Sequence, residues 1–141
     1  MHPAVRRSTT HVVAIALSAL TIAVFGLQQY LGPNSSVQRM HEAVRRQSVE
    51  DFGMLLVEPV EDPFAVELYQ TLRVLLAQGR RLQIQQTQTR GRVAHVAVLY
   101  TAEGTPNVSI VYVLGLDRGG WRVSARETAR VFQMLRGGPR I

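Results

Sequence analysis

The feature that most constrains this chain is Val12–Leu27, VVAIALSALTIAVFGL, sixteen residues without a charge in which only Ser18 and Thr21 are polar. A helix rises about 1.5 Å per residue, so roughly 20 residues cross a hydrocarbon layer. Extending the run from His11 to Leu31 reaches that length and adds Gln28, Gln29 and Tyr30, which suit the interfacial zone. The expectation is a transmembrane signal-anchor helix over residues 11–31, with the lipid bilayer as its partner. Arg6 and Arg7 precede the run, and the first acid in the chain is Glu42. Positive charge on that side places residues 1–10 as a cytoplasmic tail and sends the C-terminal portion out, a single pass of the cell membrane. The rival is a cleaved signal peptide with a mature N-terminus near Leu27–Gln28. Val24 and Gly26 are a poor substitute for the A-x-A that cleavage prefers. A lipoprotein is excluded because the chain has no cysteine.

The chain has 141 residues, so Asn34–Ile141 has room for one small domain. Without cysteine it has no disulfide support and no thiolate for chemistry or for a metal, and its core must come from ordinary packing. All 16 basic residues are arginine, and the formal net charge is +6. Two of them, Arg6 and Arg7, precede the apolar run; the other 14 face 10 acids. The excess concentrates late, with six arginines from Arg118 onward against Glu127 alone. Such a segment suits anionic lipid or cell-wall polymer, or simply a solvated face. No nucleic-acid partner is expected, because the strands lack a set of stacking aromatics.

Gly32-Pro33 breaks the first helix. Ser35 and Gln38 have capping-box spacing, and Val37, Met40 and Val44 follow at helical intervals. Ser48 and Asp51 repeat the pattern before a short helix through Phe52, Leu55 and Leu56, stopped before Pro59. Asp62-Pro63 joins an N-cap acid to proline at the first helical position. Phe64, Leu68, Leu72 and Leu75 form the stripe of a helix over Pro63–Gln78, and Gly79 is its expected C′ residue. From Arg81 the period becomes two. Arg81–Thr89 reads as a strand with a dry face at its start, and Val93–Tyr100 as a central strand apolar on both faces. Val108 to Leu116 alternates, and Asp117–Gly120 is a hairpin connection. A strand from Trp121 to about Arg126 follows, with a short helix through Val131, Phe132 and Leu135 or loose chain after it. Short connections imply antiparallel neighbours.

Helices first and then hairpin-linked strands make an α+β pattern. The expected fold is two or three helices packed on a curved four-stranded antiparallel meander sheet. It divides the chain into the tail 1–10, the anchor 11–31, an exported domain 34–128 and a basic C-terminal tail 129–141. Over roughly Ser35–Arg126, this order resembles the nuclear-transport-factor-2-like superfamily, also called cystatin-like cones. The local texture that carries the resemblance is VEDFGMLLVEP in the early helix pair and DRGGWRV in the last hairpin. The resemblance implies a cone whose interior holds a ligand or catalytic site in some members and nothing in others. Its isomerase branch uses an acidic base and a tyrosine, whose positions do not align here, so no catalytic residue is implied. Membrane-anchored members resemble assembly parts of secretion or envelope machines.

His95, the one histidine within the strands, together with Tyr100, Tyr112 and Trp121 are the candidate cavity-lining residues. Core packing with hydroxyls at the rim is the plainer reading of the tyrosines, and a core plug that of Trp121. Arg118, Arg122 and Arg126 form a candidate anionic-partner surface, or a charged edge that discourages aggregation. Glu58, Glu61 and Asp62 cluster near two prolines and could attract a metal. Helix capping explains such acids more simply, and no histidine supports them. There is no nucleophile motif and no phosphate-cradling glycine loop, so no catalytic residue, cofactor or metal is assigned. Two functions are then open. One is a single-pass membrane protein displaying a non-enzymatic extracytoplasmic binding or assembly domain, with envelope proteins or its own copies as partners. The alternative is a small-molecule carrier or isomerase-like enzyme using the cone cavity. An open cavity with converging polar groups favours the second; an interior filled by Phe64, Leu68, Leu72 and Trp121 favours the first.

Overall fold

The computed structural model describes residues 11–21 and 32–137, in two compact units divided after Leu31. In the first unit, residues 11–21 form helix α1. Its apolar side chains are exposed, from Val13 at 53% to Ile15 at 69%. Its two hydroxyls turn back onto their own helix: Ser18 Oγ donates to Ala14 O at 2.9 Å and Thr21 Oγ1 to Leu17 O at 2.8 Å. The rest of the expected anchor, residues 22–31, lies outside the described residues, as do the expected tail 1–10 and residues 138–141. Among the described residues no helix is long and apolar enough to cross a membrane.

The second unit is α+β. Its elements run α2 (Pro33–Arg45), α3 (Val49–Met54), α4 (Pro63–Ala77), β1 (Arg81–Arg90), β2 (Val93–Thr101), β3 (Val108–Asp117), β4 (Gly120–Ser124) and α5 (Ala125–Gly137). The strands form one antiparallel sheet in the order β1-β2-β3-β4, the meander that the hairpin spacing predicts. Most helix starts follow their caps. Asp62 accepts from Phe64 N–H at 2.9 Å with Pro63 behind it, and Ser48 accepts from Asp51 N–H at 3.2 Å. α2 departs from expectation. It begins at Pro33 with Gly32 as N-cap, two residues ahead of the Ser35 box, because proline already has the helical φ.

The core is the face where β2 and β3 meet α2, α3 and α4. Ala94, Val96, Val98 and Tyr100 on β2 pair in register with Leu114, Tyr112, Ile110 and Val108 on β3. The first three of each set, with Tyr100, are buried against Val37, Met40, Phe52, Leu68 and Leu72. β2 reads as apolar on both faces, yet only its even positions are buried. Val93 and His95 are exposed on the other face, and Ala97 and Leu99 are half-buried. In β1 the register shifts between Ile84 and Gln86, leaving Gln85 as a bulge. Beyond it every side chain is exposed, so β1 contributes only Leu82 and Ile84 to the core.

The chain between α3 and α4 corrects the sequence reading. Leu56 is not helical; it forms a parallel bridge to Val123 on the outer edge of β4. Val57 N–H donates to Val123 O at 2.9 Å and Val123 N–H to Leu55 O at 2.8 Å, so that edge is covered. The last strand also stops earlier than expected. β4 ends at Ser124, and α5 follows at once for 13 residues, through position 128 where the domain was expected to end.

Candidate functional site

The abrupt change from strand to helix at Ser124 is made by an acid far away in sequence. Glu58 accepts from Ser124 Oγ at 2.8 Å, Ala125 N–H at 2.8 Å and Arg126 N–H at 3.2 Å. Ser124 Oγ in turn accepts from Glu127 N–H at 3.2 Å, the capping spacing seen in the sequence. A carboxylate at the open N–H groups of a helix start satisfies donors that have no partner within the helix. Glu58 is therefore occupied as a cap and Asp62 as another, and Glu61 is exposed. Among the described residues no group of three histidines or acids is placed to hold a metal.

The polar heart of the domain lies elsewhere and joins α2 to the sheet. His41 is 1% exposed, and Tyr100 and Tyr112 are fully buried. The donors can be assigned in sequence. Val37 O, one helical turn before His41, can only accept, so His41 Nδ1 carries the proton and donates to it at 2.6 Å. His41 Nε2 is then the acceptor and takes the Tyr100 hydroxyl at 2.6 Å. The Tyr100 oxygen in turn accepts the hydroxyl of Tyr112. The rings pack as they bond, with centroids 5.7 Å (His41 and Tyr100) and 5.8 Å (His41 and Tyr112) apart. Among the described residues no buried side-chain nitrogen or oxygen is left without a partner.

Burial sets the charge state of all three. The His41 pKa is lowered from 6.5 to about 4, chiefly by loss of hydration; the Val37 carbonyl opposes the drop, the nearby Arg45 adds to it and Glu42 opposes it. Both tyrosines are pushed above the usual phenol range, chiefly by burial. At neutral pH the hydrogen-bonded set of His41, Tyr100 and Tyr112 is uncharged, and each of its protons has a place. It can lock the facing of α2 against β2 and β3. It has no solvent face from which to take a proton from a substrate.

The structure thus divides the sequence-predicted residues. Tyr100 and Tyr112 come together, but inside the core and not around a cavity. His95 is exposed on the opposite face, in register with Gln88 and Val113. Trp121 is half-buried against the core, and its carbonyl accepts from the buried Ser36 hydroxyl at 2.8 Å. The arginines do not form one row. Arg118 is exposed at the β3–β4 turn, and Arg122 on β4 lies 3.4 Å from Asp117. Arg126 belongs to α5, where it lies 3.7 Å from Asp62 and over the Phe64 ring. His41 is the residue the sequence reading missed. Its signal was position: it stands four residues after Val37 and three before Val44, on the apolar stripe of α2.

The available space is at the edges. An apolar groove of about 90 Å³ runs between α4 and α5, floored by Ile110 and walled by Phe64, Leu68 and Phe132. Two wider surface grooves are lined by charged side chains among others. One, of about 460 Å³, lies between α2 and α3 beside Arg46 and Asp51; the other, of about 560 Å³, includes Arg81 and Glu103.

No protein-family model matches the chain, and no curated protein does. Among solved structures it is similar to a candidate dehydratase of the NTF2-like family from Streptomyces avermitilis. The identity is 16%, the match covers 66% of this chain and 95% of that one, and the TM-score is 0.38. No site residue is transferred at that distance.

Proposed function

We propose that this chain is a single-pass membrane-anchored protein whose α+β domain is a non-enzymatic, extracytoplasmic module for binding or assembly. The filled interior carries the reading. The space between sheet and helices holds Phe52, Met40, Leu72, Tyr100 and Tyr112, all fully buried. Among the described residues every buried side-chain nitrogen and oxygen has a hydrogen-bond partner within the protein. The carrier or isomerase alternative needs room that the interior does not offer. Small-molecule sites run to about 300–1,000 Å³, whereas the apolar groove between α4 and α5, against the core, holds about 90 Å³. Function then falls to the outer surfaces, and the mechanism is display: a tether that confines the module to the neighbourhood of the bilayer. The anchor is supported by the charge-free run and by α1, whose exposed apolar side chains and self-satisfied hydroxyls suit a hydrocarbon environment.

The test uses the absence of native cysteine. Single cysteines replace Thr9 and the exposed Ser109. In intact cells a membrane-impermeant maleimide is expected to label Ser109→Cys, and Thr9→Cys only after lysis, with the protein retained in membranes through an alkaline wash. Release by that wash, or a protected Ser109→Cys, overturns the anchored, exported reading. Native mass spectrometry of the chain purified from membranes addresses the module itself. Protein assemblies are expected; one small molecule retained per chain overturns the module reading.

A further inference from the structure

α5 is buried at its start and bare at its end. Ala125 and Thr128 are buried, Val131 and Phe132 are half-buried, and Met134 and Leu135 are 69% and 65% exposed. Val131, Met134 and Leu135 stand at i, i+3 and i+4, so they form one apolar patch on a helix face. Arg130 precedes the patch and Arg136 ends it. Arg130 pairs with the exposed side chain of Glu127 at 3.2 Å, and Arg136 lies over the Phe132 ring. Exposed pairs of this kind are worth little and exchange readily for a better anion.

A protruding helix end with an apolar patch between arginines has two natural occupants. A second copy would press Arg130 and Arg136 of both chains around one patch, and like charges oppose that. A surface of phosphate headgroups over hydrocarbon complements both features, because arginine stems can lie along the apolar side while their heads reach the phosphates. From Arg118 to the end the sequence carries six arginines against Glu127; Arg122 and Arg126 lie beside Asp117 and Asp62, and the positive excess that is left on this part of the domain favours an anionic surface. We propose that the C-terminal half of α5 docks the domain on an anionic phospholipid surface through Val131, Met134 and Leu135, with Arg130 and Arg136 on the headgroups. This rests on the proposed anchor, which keeps the domain at high effective concentration beside that surface.

The experiment uses the full chain with Leu135→Cys carrying a polarity-sensitive fluorophore. The protein is reconstituted into vesicles of phosphatidylcholine alone, or of phosphatidylcholine with phosphatidylglycerol. Flotation with both vesicles is expected, with a blue-shifted emission only where phosphatidylglycerol is present, reversed by high salt. Arg130→Gln and Arg136→Gln should each lower the docked-to-free ratio roughly fivefold. Flotation with aqueous emission in both vesicles overturns the docking and leaves the anchor intact. So does an equal shift in both, or a shift that grows with protein concentration without phosphatidylglycerol, which marks self-association. Flotation with anionic vesicles alone, with the shift, supports the docking and overturns the anchor. Flotation with neither overturns both.

Discussion

Lowering the pH from about 8 to about 4 sets the folded and unfolded states apart at His41. In the unfolded chain the imidazole takes a proton near 6.5; in the core, loss of hydration holds its pKa down to about 4. Between those values the unfolded chain binds a proton that the folded domain refuses, so protons pull the equilibrium toward unfolding. The sign follows. The stability associated with neutral His41 is fully present above about pH 6.5, is lost progressively as pH falls toward 4, and changes no further below that. The gap from 6.5 to about 4, at about 1.4 kcal/mol per pH unit, amounts to about 3 kcal/mol. Against the 5–15 kcal/mol typical of a domain, that is a large share. Tyr100 and Tyr112 stay neutral across this range, because burial moves them away from it.

The assay is urea unfolding of the compact unit, residues 32–141, followed by the fluorescence of Trp121, the only tryptophan. His41→Gln is the control, since its amide oxygen can still accept the Tyr100 hydroxyl but has no proton to gain. The variant is expected to be about 1–2 kcal/mol less stable near pH 8. Across pH 6.5 to 4 it should lose about 3 kcal/mol less than the natural chain, so the two curves cross. Parallel pH profiles would refute the reasoning, because the acid sensitivity would then belong to the carboxylates common to both proteins.

Other perturbations separate the parts of the structure. Tyr100→Phe removes the central hydroxyl and strands both His41 Nε2 and the Tyr112 hydroxyl, so it should cost about 2–4 kcal/mol; Tyr112→Phe, at the end of the chain, should cost about 1 kcal/mol. Equal costs in urea titrations would contradict the assigned order of donors. Glu58→Ala removes the cap of α5 and should cost about 1–2 kcal/mol, with faster amide hydrogen exchange concentrated at residues 125–128. Exchange that rises evenly over the domain would mean that Glu58 does not hold the helix start. Leu56→Ala should cost about 2–5 kcal/mol by thermal unfolding, because it opens a cavity beside Val123 on the β4 edge; a loss below about 1 kcal/mol would place Leu56 outside the core.

What the sequence disclosed was local. The Asp62-Pro63 start of α4, the Ser48 cap of α3 and the alternation from Val108 to Leu116 are written in neighbouring residues, and the meander follows from short connections. What it concealed depends on partners distant in the chain. Glu58 and Ser124 are 66 residues apart, and nothing near Glu58 announces a helix that starts so far downstream. His41 and Tyr100 are 59 apart. Periodicity places His41 on the buried stripe of α2, but only the packing of α2 on β2 gives its ring a phenol. His95 shows the same dependence: a histidine in a strand is a candidate for a cavity lining by residue type, and only the register places it on the exposed face. Leu56 shows the same limit: its apolar side chain fits a helix stripe or a strand edge equally well, and only Val123 decides.

The buried chain is also an argument about what the domain needs. Leucine at 41 with phenylalanine at 100 and 112 would fill a similar volume and leave no group to desolvate, so hydrogen bonding there is not required for a stable core. What an apolar set lacks is direction. Phenylalanine and leucine pack acceptably in several rotations of α2, whereas the bond from Tyr100 to His41 and the bond from His41 to Val37 are met in one. The triple replacement His41→Leu, Tyr100→Phe and Tyr112→Phe is therefore expected to unfold within about 1 kcal/mol of the natural domain, far from the summed cost of the singles. Its pH sensitivity between 6.5 and 4 should be reduced, and its amide spectrum should show exchange broadening along α2 where the natural domain is sharp. A triple variant that loses the full sum of the single costs would show that the bonds themselves hold the core. One that matches the natural spectrum would show that the apolar packing of Val37, Met40 and Val44 already fixes the helix.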